Sequence, residues 1–132
     1  MTIQRIDVEK RTARTITNAT HAVAYGDTLY LCNSLTDWTS EIYATTNTFF
    51  TYDVKSGVVG TESFLQGDTE EVTSNSVYMM EVNPTNGDIY IGLSGNKFVS
   101  SGMVHRYNSD GQLIHRFDVQ GANPNQAAFV ER

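Results

Sequence analysis

The chain has 132 residues, 39% of them apolar and 18% charged, which suits one folded domain of roughly 100–150 residues and not a disordered polyelectrolyte. Nine basic and fifteen acidic residues give a net charge of −6, so nothing electrostatic draws the protein to nucleic acid or anionic lipid. No apolar run approaches the ~18 residues of a membrane span, and a single cysteine, Cys32, excludes an internal disulfide, a redox pair and a cysteine zinc cage.

In chain order, Met1-Thr2-Ile3-Gln4-Arg5 holds neither an apolar signal segment nor a lipoprotein cysteine. Short runs of β-branched and aromatic residues then recur, each ended by a turn signal. They predict strands near 3–8, 12–16, 21–25, 28–33, 48–54, 58–64, 77–82, 88–93, 103–108, 112–119 and 127–130. The clearest turns are Lys55-Ser56-Gly57, Asn86-Gly87-Asp88 and Ser109-Asp110-Gly111, where glycine supplies the positive φ of a tight hairpin. Pro84 and Pro124 fall between strands, where a missing N–H does least harm. Cys32, inside Leu29-Tyr30-Leu31-Cys32-Asn33, reads as a small core residue. The fold class is all-β.

The strands also repeat. Gly26-Asp27-Thr28-Leu29-Tyr30-Leu31 matches Gly87-Asp88-Ile89-Tyr90-Ile91, and Phe50–Gly57 matches Val104–Gly111. A third copy of the second unit, Gln4–Lys10, opens the chain and aligns Ile6 with Tyr52 and Tyr107, at spacings of 52 − 6 = 46 and 107 − 52 = 55 residues. Periods of about 40–50 residues with four strands each are those of propeller blades. The expectation is about two and a half blades of a β-propeller. Outer strands of one blade occupy 1–19, full blades occupy 20–64 and 77–119, and a tail strand lies in 120–132. A small β-sandwich or barrel is the alternative.

Val82–Gly92, Gly102–Ile114 and the ending Phe117–Pro124 resemble the closing blades of the YncE-like, DUF5074-type propeller family. That resemblance implies the C-terminal third of a typically seven-bladed ring, and an exported, cell-surface or periplasmic protein. Some relatives in the broad group capture corrinoids, which places a corrinoid among the ligand classes the resemblance implies.

Sites of chemistry are sparse. His21, His105 and His115 do not converge at metal-ligand spacings, and read as structural or surface residues. Asp110 lacks the twelfth-position acid of a calcium loop, and neither a nucleophile elbow nor a phosphate-binding loop occurs. No metal or other cofactor is expected. The informative feature is an asymmetry of connections: tight turns at one end, and long ones at 34–47, 65–76 and 94–102 at the other. Long loops gathered at one end of a rigid scaffold are where binding groups usually sit. The candidate ligand-binding residues are Asn33, Asp37, Trp38, Glu41, Tyr43 and Phe98. Aromatic faces offer rigid apolar contact, and carboxylates and amides fix the polar groups of a ligand.

These features predict a non-enzymatic binding segment whose ligand, a corrinoid or a glycan for example, the residues do not select. Part of a propeller enzyme of the lactonase or quinoprotein kind, and a purely structural interaction scaffold, are the alternatives. Trp38 and Tyr43 are expected partly exposed. An incomplete ring should also leave two apolar sheet faces bare, so the partners expected are other copies of the chain or the remaining blades.

Overall fold

The computed structural model describes residues 1–67, 70–95 and 99–130. Among those residues it is all-β, with three antiparallel sheets, none closed into a barrel. The first sheet pairs β1 (Thr2–Asp7) with β2 (Thr12–Asn18). The second runs β3 (His21–Tyr25), β4 (Thr28–Thr36) and β5 (Thr45–Asp53). A short helix, α1 (Glu70–Ser74), leads into the third, which runs β6 (Val77–Val82), β7 (Ile89–Leu93), β8 (Met103–Tyr107) and β9 (Leu113–Asp118). Within each sheet, strands follow one another in chain order.

The sheets stack face to face, because the middle one is apolar on both sides. Alternation along β4 sends Leu29 and Leu31 to one face, opposite Tyr52 and Phe50 of β5, and sends Cys32 to the other, opposite Phe49. The first face meets Ile3, Ile16 and Ala19 of the first sheet and its exit. The second, with Tyr30, meets Val82, Ile89, Ile91 and Met103 of the third sheet. Cys32 lies in this second interface, where burial pushes its thiol up to about 12.

The repeat has a structural counterpart at the turn that closes each copy. Asp7 Oδ1 accepts the Lys10 N–H, Asp53 Oδ1 the Ser56 N–H and Asn108 Oδ1 the Asp110 N–H, at 2.9, 2.6 and 3.1 Å. A left-handed residue then ends each turn: Arg11 at φ 54°, Gly57 at 73° and Gly111 at 81°.

Five predicted features come out differently. Among the described residues no strand occupies 58–64; only Val59 bridges to Tyr52, so the second sheet has three strands and not the four of a full blade. Beyond Gly60 the chain leaves the ladder, because Phe64 and Leu65 find burial between the second and third sheets, with Phe64 edge-on to Tyr30 and Phe49. The predicted strand at 127–130 is also absent. The tail instead lies along the outer face of the third sheet. Its Ala122 and Gly121 carbonyls accept the Gly95 and Gly102 N–H groups, and Phe129 packs 5.1 Å from Tyr90. The connection at 65–76 contains α1, with 68–69 outside the described residues. The first long loop shrinks from 34–47 to 37–44, since β4 and β5 extend their pairing out to Thr36 and Thr45. Nor is the bare face of the first sheet a broad apolar patch: around Ile6 and Ala13 it carries Thr2, Gln4 and Thr15.

Candidate functional site

Side-chain and backbone bonds tie the longer connections together at one end of the stack. Thr36 and Thr45, the last pair of the β4–β5 hairpin, have their hydroxyls 2.8 Å apart, and Ser76 lies 2.8 and 3.2 Å from them. The Ser76 carbonyl accepts the Ser94 N–H, which brings the end of β7 to the same place. A hydroxyl can both give and receive, so this cluster ties two sheets together without a charge.

The hairpin tip, 37–44, projects beyond that lock and is braced from within. Asp37 Oδ1 accepts the Thr39 N–H at 2.9 Å and the Thr39 hydroxyl at 2.6 Å, and its backbone carbonyl accepts the Ser40 hydroxyl at 2.9 Å. The Thr39 bonds hold the Asp37 carboxyl below the usual carboxylate range. Ser40 Oγ in turn accepts the Ala44 N–H, and the Asp37 N–H reaches the Ala44 carbonyl, closing the loop. Tyr43 sits within this frame at φ 50°, a left-handed conformation that is costly for a residue with a Cβ. The result is a pair of aromatic rings held outward: Trp38 and Tyr43 are 64% and 42% exposed, with ring centres 5.8 Å apart and planes inclined at 51°. Leu35 and Ile42 add exposed apolar surface to the same tip.

Of the other predicted residues, Glu41 lies exposed on this loop, while half-buried Asn33 sits within β4, paired with Thr48, on the side facing the first sheet. Asn33 is not among the residues that make the tip. Phe98 falls outside the described residues.

A second cluster under α1 was not foreseen. His105 is 1% exposed, and its ring joins two groups: Nε2 is 3.0 Å from Glu71 Oε1 and Nδ1 is 3.2 Å from the Tyr107 hydroxyl. The same Glu71 oxygen accepts Arg116 Nε–H at 2.7 Å, and Arg116 reaches Asp118 at 3.0 Å. Burial works to raise the Glu71 carboxyl, but the bonds from His105 and Arg116 outweigh it and hold the group below its ordinary value. From the second sheet, Asn47 Nδ2 donates to the Val72 and Asn75 carbonyls at 2.8 and 2.6 Å. Helix α1 is thus pinned to both sheets, and the network serves as a clamp. The sequence does hold a trace of it. His105 alternates with Met103 and Tyr107, a pattern that puts all three on the core face, whereas Glu71 is hidden in an acidic run.

Among the described residues no group of three His, Cys, Asp or Glu side chains could hold a metal ion, and no helix is long and apolar enough to cross a membrane. No family model matches the chain, and no curated protein matches it either.

Proposed function

We propose that the chain is a β-propeller segment that binds a ligand or partner at its loop end and does not turn it over. The observation that carries this reading is the Trp38–Tyr43 pair. Leaving two large aromatic side chains partly exposed forgoes part of their burial, and holding Tyr43 in a left-handed backbone adds a further cost of order 1–3 kcal/mol. The side chains of Asp37 and Ser40 brace the turn that carries both residues from within. Two inclined rings suit a ring-shaped or flat ligand, and Glu41 beside them suits its hydroxyl or amide groups. A glycan or a corrinoid has both properties.

The propeller part of the reading draws on the threefold turn, on the face-to-face stacking, and on the gathering of the longer connections at one end. Because Trp38 is the sole tryptophan, its emission reports on the tip alone. Titration with soluble oligosaccharides, and separately with cobinamide, should quench or blue-shift that emission saturably, and Tyr43→Ala should weaken the response at least tenfold. Emission that stays unchanged by either ligand class, together with an unaltered thermal melt, would remove small-molecule binding at this tip.

A further inference from the structure

The two interfaces inside the stack are built alike and point the same way. Each sheet offers the face carrying its Leu29- or Ile89-type residues to the sheet before it, and its Tyr30- or Tyr90-type face to the sheet after it. Such contacts are heterologous, so the two end faces of the stack are the unfilled halves of one further interface of the same kind.

Each half matches the inner interfaces in part, the front at Ile6 on an otherwise polar face. At the front, Ile6 holds the place of Tyr52 and Tyr107; they are each 1% exposed, and it is 69% exposed. At the back, Tyr90 carries Phe129 at 5.1 Å, as Tyr30 carries Phe64 at 5.0 Å beneath the third sheet. Beside that pair an apolar groove of about 410 Å³ opens between Met79, Val104, Phe117 and the tail.

We infer that a second copy of this chain docks head to tail, its Ile6 face seated on the Tyr90–Phe117 face of the first. The inference draws on the stacking alone and stands whether or not the loop end binds a ligand.

Sedimentation at micromolar concentration tests it, with two variants that each disable one half. The wild-type chain should sediment at twice 14.7 kDa or more. Ile6→Glu and Phe117→Glu should each sediment as monomers, and an equimolar mixture should recover a dimer, since each variant keeps the half that the other has lost. Ala128→Arg, at an exposed position on the rim of the groove, replaces Phe117→Glu if that variant fails to melt cooperatively. A wild-type monomer at micromolar concentration overturns the proposal. So does a mixture that stays monomeric, or a pair of variants that associate as well as the wild type.

Discussion

The first and third sheets are the same repeat in different surroundings. In the third, Tyr107 is sealed between sheets, next to His105 and above Ile89 and Ile91. In the first, the corresponding Ile6 stands in solvent on a two-stranded ribbon whose remaining residues are mostly polar. Both close on a turn in which an Asp or Asn side chain accepts a backbone N–H and a left-handed residue follows, so the turn is locally encoded and burial is not. A residue's contribution is set by what is stacked on it, and three tests can break or sharpen that contrast.

The largest effect should come from the sealed side. Ile91→Ala leaves a cavity in the interface between the second and third sheets, and should cost about 2–5 kcal/mol in denaturant unfolding. Ile6→Ala in the open sheet should change stability by less than about 0.5 kcal/mol at dilutions where the chain is monomeric. Equal costs for the two would mean that the ends of the stack are not different after all.

The shared turn should respond in opposite directions. At Gly111 the φ of 81° is joined by the Phe64 carbonyl, which a Cβ would strike, so Gly111→Ala should destabilise by more than about 1 kcal/mol. Arg11→Gly removes a left-handed side chain from an open turn and should be neutral or stabilising by up to about 1 kcal/mol. Amide hydrogen exchange across β1 and β2 would register the gain locally, and faster exchange there would contradict it.

The smallest effect concerns the clamp on α1. Because folding lowers the Glu71 carboxyl, its contribution is complete above the ordinary value of 4.5 and fades as the pH falls through the lower folded value. Glu71→Gln should therefore cost about 1 kcal/mol at neutral pH and almost nothing in acid, flattening the acid limb of melting temperature against pH. Parallel curves for the two proteins would show that Glu71 carries no titrating load.

Much of this was legible in the sequence, and the failures share a cause. The hairpin turns declared themselves through Asn-Gly and Asp-Gly pairs, and the strands through β-branched and aromatic runs, because both depend on a few adjacent residues. Trp38 and Tyr43 were legible as loop aromatics for the same reason. Their mutual geometry was not, since Asp37 and Ser40 set it through bonds that composition does not reveal. The segment 58–64 reads as a strand by pattern, yet Phe64 turns away to a pocket between two sheets. The tail at 127–130 likewise has strand-like residues, yet it lies along the outer face of the third sheet.

The sequence by itself determined the all-β class, the closing turns and the threefold repeat, because backbone preferences and alternation act over a few residues. Only the tertiary structure decided which repeats keep all their strands, which faces are dry, and how His105, Glu71 and Arg116 meet. Those outcomes depend on surfaces brought together from 34 and 45 residues apart, where packing and hydrogen-bond satisfaction outweigh local preference.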